Sequence, residues 1–146
     1  HLIMGLFDKI FKEVPEEDKL TKQEAFAGIA LAMAGADGSI SQSEWDGIVN
    51  YIRRLRLYDN FSGPAFDKLF RILKNQGASA LVASSIEGLP EDLKLTSFAC
   101  AVDIALADGV LEEEEKDIIN QLAESLQIPE QIAISIIEVL IIKNKA

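Results

Sequence analysis

The stretch ADGSISQSE at residues 36–44 returns 71 positions later as ADGVLEEEE at residues 107–115. In each copy an alanine-rich apolar segment stops at an Asp-Gly pair, and an acid follows seven residues after the aspartate. Glu44 stands in this relation to Asp37, and Glu115 stands in it to Asp108. A pattern that occurs twice indicates an internal structural repeat. We therefore expect each half of the chain to form a helix, an Asp-Gly turn and a second helix.

The hydrophobic pattern predicts an all-α fold, because apolar residues recur at helical spacing and strict alternation is rare. We expect one domain over residues 1–146, a bundle of about seven helices built on two pseudo-symmetric helix-turn-helix repeats. The helices after the chain start are predicted from Thr21 to the first Asp-Gly, from Gln42 to Leu57, over 61–77, over 78–88, from Pro90 to Asp108, from Glu113 to Leu126, and from Pro129 onward.

Both ends of the chain carry apolar segments. Residues 4–14 predict an opening amphipathic helix, and we expect residues 1–3, which precede Met4, to be foreign to the natural chain. The last segment, QIAISIIEVLII at 131–142, is rich in β-branched residues but is predicted as a helix because no partner strands are evident. Its apolar side chains imply burial or a partner surface, and core packing is the preferred interpretation of both end helices.

Composition excludes several classes of function. With 14 basic and 24 acidic residues, the formal charge of −10 repels phosphate backbones, so nucleic acid is not an expected partner. We do not expect an enzyme, because His1 is the only histidine and no Gly-rich phosphate loop is present. The lone Cys100 lies in an apolar run and is predicted as a small buried residue of a cytoplasmic protein. The last segment is too short, and too interrupted by Glu138, to span a bilayer.

One interpretation of the acidic turns is structural. Gly38 can adopt a positive φ that ends a helix, and Ser41 with Glu44 predicts a capping box for the next helix. In the second copy Glu112 takes the place of Ser41 and is a poor N-cap, yet Glu115 is kept. This difference favours a role for the acid beyond capping, although acids near a helix start also gain from the helix dipole.

The other interpretation is a metal site. The residues from Asp37 to Glu44 fit the second half of an EF-hand loop, from its fifth position to its twelfth. The first two side-chain ligand positions fall on apolar residues or glycine, namely Met33 and Gly35 in one copy and Ile104 and Leu106 in the other, so a full EF-hand is excluded. Half a loop with carboxylate oxygens suits a hard divalent cation such as Ca²⁺ or Mg²⁺.

The doubled ADG-x-[IL]-x-x-x-E motif after an alanine-rich helix resembles the TerB family of tellurite-resistance-associated proteins and the TerB-like domain of certain membrane-anchored J-domain cochaperones. The resemblance implies a bundle of about seven helices with pseudo-twofold symmetry. It also implies metal binding by the acids of the turns, which carries onto Asp37, Glu44, Asp108 and Glu115. A link to tellurite and chemical-stress resistance, and complexes with membrane partners such as TerC, are further implications of the resemblance.

Asp103 marks a difference between the halves, because Ala32 occupies the matching position. It lies in the apolar run AVDIAL, where a buried carboxylate needs a basic group, backbone donors or a metal. Asp103 and Asp108 are about 140° apart around one helix, so convergence on one ion would need a kink.

These observations lead to two hypotheses. The first is a cytoplasmic metal-binding scaffold or sensor of the TerB type, placed at the inner membrane only through its partners. The alternative is a protein–protein interaction module whose acidic turns merely cap helices. Its partners would be other proteins, including membrane-associated ones, that dock on the opening or the last helix.

Overall fold

The chain, as a computed structural model, is described for residues 19–61 and 65–146. Residues 1–3 and the predicted opening helix at 4–14 lie outside these residues. Residues 62–64, near the start of the helix predicted over 61–77, also lie outside them.

The described residues form an all-α fold, which confirms the predicted fold class. No strand occurs in the ranges 19–61 and 65–146. Two single turns of 3₁₀ helix, at Arg56–Tyr58 and Glu91–Leu93, separate longer elements. The seven α-helices of the described chain are α1 (Lys22–Ala34), α2 (Gln42–Arg53), α3 (Ala65–Gln76), α4 (Ala78–Gly88), α5 (Lys94–Leu106), α6 (Glu113–Ser125) and α7 (Glu130–Lys143).

Two helices are shorter than the sequence predicted. The predicted helix to Leu57 ends at Arg53, because Leu55 adopts an extended backbone conformation and a 3₁₀ turn follows. The predicted long helix from Pro90 begins as the 3₁₀ turn Glu91–Leu93 and becomes α-helical at Lys94. Periodicity alone places such boundaries within a few residues.

Helix α1 forms the centre of the bundle. Every residue from Glu24 to Met33 is buried, and α1 packs against α2, α3, α4, α5 and α6. Close approach of the neighbouring helices is possible because half of these ten residues are alanine or glycine. At Gly28 an added Cβ would overlap the Ser85 hydroxyl of α4, which would have to move to make room for it. The core therefore depends on small residues along α1.

Helix α7 lies at the outside of the bundle, packed mainly on α5. Among its residues only Ala133 is buried, and large apolar side chains on its outer side are exposed. The preferred interpretation of this segment as core packing is therefore wrong for most of its surface. An apolar sequence indicates that burial of the helix is favourable, but it does not show whether another helix of the chain packs over each side of it.

The described helices include none that combines the length and hydropathy needed to cross a membrane. The two halves of the chain share local turn conformations, described below. A pseudo-twofold relation between the halves stays a prediction.

Two glycine substitutions test the packing around α1. An alanine Cβ at Gly88 would lie 2.5 Å from the Leu20 carbonyl oxygen and 3.2 Å from the Ala25 Cβ, whereas at Gly47 it would meet no atom within 4 Å. We expect Gly88→Ala to lower the free energy of unfolding by about 1–3 kcal/mol through overpacking. Gly47→Ala should raise it by about 0.5–1 kcal/mol, because alanine is the better helix former.

Urea denaturation followed by circular dichroism measures both changes. Equal effects of the two substitutions would contradict the close contact between Gly88 and the chain before α1.

Candidate metal centre at the two acidic turns

The first acidic turn follows α1 and is closed by its own aspartate. Gly38 has a φ of 92°, a left-handed conformation that glycine adopts without steric cost. Asp37 Oδ1 accepts hydrogen bonds from the Ser39 backbone N–H, at 3.0 Å, and from the Ser39 hydroxyl, at 3.2 Å. One oxygen of this exposed carboxylate is thus used to hold the turn.

The predicted capping box at the start of α2 is present. The Glu44 N–H donates to Ser41 Oγ at 3.1 Å, and Glu44 Oε1 accepts from the Ser41 N–H at 3.1 Å. The capping interpretation therefore accounts for one oxygen of Glu44.

The second acidic turn has the same local conformation. Gly109 has a φ of 80°, and Asp108 Oδ1 accepts from the Val110 N–H at 3.1 Å. Glu115 Oε1 accepts from the Glu112 N–H at 2.9 Å. The sequence favours a role for Glu115 beyond capping, since Glu112 replaces the serine of the first copy. This hydrogen bond weakens that inference. The glutamate half of a capping box needs only a backbone N–H, which glutamate supplies as well as serine does.

The electrostatic surroundings of Glu115 indicate that the two turns lie near each other. Burial raises the pKa of Glu115 above its ordinary value, the hydrogen bond from the Glu112 N–H opposes this rise, and repulsion from Asp108, Glu112 and Asp37 adds to it. Asp37 belongs to the first turn, so a carboxylate of one turn lies within electrostatic range of the acids of the other. The spacing of the two turns along the chain does not by itself indicate this proximity.

The chemistry of the donors fits a hard cation, but the side chains are not arranged as a finished metal centre. In the described part of the chain, the second oxygen of each of the four predicted ligands accepts no hydrogen bond. These oxygens are hard ligands of the kind that Ca²⁺ and Mg²⁺ prefer. However, no three acidic, histidine or cysteine side chains among residues 19–61 and 65–146 are placed to hold one ion. Ligation by Asp37, Glu44, Asp108 and Glu115 stays a prediction.

Asp103 lies apart from this group and has protein partners. Its Oδ1 atom is 3.2 Å from Lys143 Nζ and accepts from Asn144 Nδ2 at 2.9 Å. Its Oδ2 atom accepts from the Tyr51 hydroxyl at 3.4 Å. A basic group and neutral donors therefore compensate this carboxylate, whose side chain is 14% exposed. These contacts tie the end of α7 to α2 and α5.

Sequence reasoning identified the need of Asp103 for a partner but not the partners themselves. Lys143 and Asn144 are at least 40 positions further along the chain, and no local pattern links them to Asp103. A cavity of about 300 Å³ opens beside this polar cluster and is lined by Gly47, Ile48, Tyr51, Asp103, Ile104, Ala107, Lys143 and Asn144.

Comparison with known proteins places both turns within one family. The family model described as tellurite resistance protein TerB matches residues 23–137. The chain belongs to the TerB family. The match runs from α1 into α7 and includes both acidic turns, so the resemblance inferred from the doubled motif is confirmed. Searches among curated proteins and among solved structures gave no match.

The cysteine of this TerB-family chain is half-buried. Burial raises the pKa of the Cys100 thiol above its ordinary value, and the negative charge of Asp103 adds to the rise while a hydrogen bond with Tyr51 opposes it. Because the thiolate is the reactive form, these surroundings favour an inert thiol.

The raised pKa of Glu115 predicts a pH dependence of stability in the metal-free protein. The folded chain binds the Glu115 proton more tightly than the unfolded chain does. The contribution of this group is therefore fully present below its ordinary pKa of 4.5 and is lost as the pH rises through the raised folded value. Glutamine at this position keeps an acceptor for the Glu112 N–H but carries no charge. We expect Glu115→Gln to gain stability relative to the wild type as the pH rises from about 4 to about 7.

Denaturation at a series of pH values in the presence of a chelator measures this difference. The same substitution at Glu114, which removes a charge from the same helical turn, is the control for charge loss alone. A difference between Glu115→Gln and wild type that falls with rising pH would refute the raised pKa of Glu115.

Proposed function

We propose that this chain is a metal-binding scaffold or sensor of the TerB type, which binds hard divalent cations such as Ca²⁺ or Mg²⁺ at its two acidic turns. The proposed ligands are Asp37 and Glu44 in the first turn, and Asp108 and Glu115 in the second. Membership of the TerB family supports a role in resistance to tellurite and related chemical stress.

The observation that supports the metal function best is the crowding of negative charge around Glu115. Burial is the main cause of its raised pKa, and repulsion from Asp108 of the same turn, and more weakly from Asp37 of the other turn, also disfavours its ionised form. A divalent cation would reverse the sign of this interaction and turn repulsion into attraction. The net charge of −10 also raises the local concentration of cations around the whole molecule.

The number of available oxygens favours a partly hydrated ion. Each of the four carboxylates already gives one oxygen to a backbone N–H, which leaves one for the ion. Ca²⁺ takes six to eight oxygen ligands and Mg²⁺ takes six, so water and main-chain carbonyls would complete the coordination. Such a site binds more weakly than a full EF-hand, which suits a sensor better than a permanent structural metal.

The proposed role is binding and not catalysis. The thiol of Cys100 is held in its protonated form by burial, and no imidazole occurs in residues 19–61 and 65–146 to act as a base near neutral pH. We propose a cytoplasmic location, with any attachment to the inner membrane supplied by partner proteins.

A second candidate function is a protein–protein interaction module, and the exposed apolar side of α7 favours it. Both acidic turns make the hydrogen bonds that capping requires, so capping alone could explain their acids. In this case the partners, including membrane-associated proteins, would dock on α7 and the turns would only shape the bundle.

Calorimetric titration with Ca²⁺, Mg²⁺ and Mn²⁺ separates these two functions. The double variant Asp37→Asn with Asp108→Asn removes two charges, but each asparagine can still accept the N–H that closes its turn. We expect the wild type to bind at least one of these ions, and the variant to bind it at least about tenfold more weakly, equivalent to about 1.4 kcal/mol.

Asp92→Asn is the matched control, because Asp92 is an exposed acid in the 3₁₀ turn Glu91–Leu93 that precedes α5, at the far end from the second acidic turn. This variant should bind like the wild type. Absence of heat from the wild type at saturating cation would remove the metal function and leave the interaction module.

A further inference from the structure

The outer side of α7 carries one continuous line of exposed positions. Ile132, Val139 and Ile142 are 42%, 63% and 68% exposed, and Ser135 lies between them. We call these four residues the outer strip. Their spacing of three, four and three residues is the a and d spacing of a coiled-coil seam, which places them on one side of the helix.

The outer strip faces away from the bundle. Ala133 is buried, and Ile136, Ile137 and Leu140 are half-buried against the core. Ala133, Ile137 and Leu140 lie on the side of the helix opposite the strip, and Ile136 lies at the edge of the strip, in an e position. Three large apolar side chains in line on an exposed helix are uncommon on a chain that acts alone, and such patches mark interaction sites. The exposed apolar surface is therefore positioned for another helix.

The charges beside the strip fit a second copy of the same helix. In coiled-coil positions Glu138 is a g residue and Lys143 is the e residue five places later. When two such helices run parallel and in register, g of one helix faces e of the other. Glu138 of each copy would then face Lys143 of the other, so one twofold axis forms two ion pairs.

Lys143 can make this contact without leaving Asp103. Its ammonium lies 3.2 Å from Asp103 Oδ1, while its side chain remains 59% exposed. An ammonium group has three donors, and Asp103 occupies one of them. The polar cluster at the end of α7 thus holds Lys143 at the edge of the outer strip.

We propose that the outer strip of α7 binds the same strip of a second copy, in a parallel, twofold-symmetric homodimer. A membrane surface is a poorer fit, because α7 carries Glu130 and Glu138 against the single Lys143, whereas helices that lie on membranes are rich in basic residues. The inference uses the same helix as the interaction-module function and is independent of cation binding.

Ser135 limits the strength of this dimer. It places a small polar group at a seam position where leucine is favoured. The four-residue strip is also small beside the roughly 800 Å² that each partner buries in a stable interface. The dimer is therefore expected to be in measurable equilibrium with the monomer.

Sedimentation equilibrium of the full chain over a range of concentrations, with a chelator present, tests the proposal. We expect a monomer–dimer equilibrium for the wild type. Val139→Lys places a charge at the more apolar of the two central positions of the strip and should weaken the dimer by at least about tenfold. Ser135→Leu completes the seam and should tighten it by about tenfold.

Ile134→Lys is the matched control, since it adds the same charge to the same helix at a position 37% exposed and off the strip. It should leave the equilibrium within about twofold of the wild type. Circular dichroism establishes that each variant keeps its helices.

Three results would overturn the proposed dimer. The wild type could remain monomeric at every concentration, or Val139→Lys could leave the monomer–dimer equilibrium unchanged. The third result is that Ile134→Lys weakens association as much as Val139→Lys does. A monomeric wild type would leave the interaction-module function standing, with a different protein as the partner on α7. Repeating the sedimentation series with Ca²⁺ shows whether association depends on the cation. Cation binding itself is tested separately, by calorimetry on the variants of Asp37 and Asp108.

Discussion

The burial of α1 is the constraint on which the rest of this structure depends. Ten consecutive residues, from Glu24 to Met33, are removed from water, so the helix needs neighbours on every side. Small residues such as Gly28 let those neighbours approach closely. The end of α1 is consequently fixed within the bundle, and so is the Asp-Gly turn that leaves it. The placement of Asp37 near the second turn is a consequence of core packing.

The four turn acids serve the fold and are still available for chemistry. One oxygen of each closes a turn or caps a helix, and these bonds orient the carboxylate. Burial raises the pKa of Glu115, and repulsion from Asp108, Glu112 and Asp37 adds to the rise even though Glu115 caps its helix. Proteins tolerate such concentrations of like charge at functional sites more often than elsewhere. The proposed cation would relieve a repulsion that the fold itself creates.

Helix α7 gives the molecule a second kind of surface. Its inner side completes the core through Ala133, and its end is tied to α5 by the contact of Lys143 and Asn144 with Asp103. Its outer side is apolar and uncovered. The acidic turns and the outer strip are therefore separate surfaces, so the proposed cation and the proposed second copy would not compete for the same residues.

The sequence by itself determined the all-α class, most helix boundaries, the TerB resemblance and the capping box of Ser41 with Glu44, because periodicity, caps and turns are local properties. It also indicated that Asp103 needed a partner. Only the tertiary structure decided that Lys143, Asn144 and Tyr51 are those partners, that Asp37 lies near Glu115, and that α7 is exposed. Each of these depends on the packing of helices that are distant in the chain. Hydrophobic burial drives that packing, but it is non-directional, so no local sequence pattern shows which helix faces will be in contact.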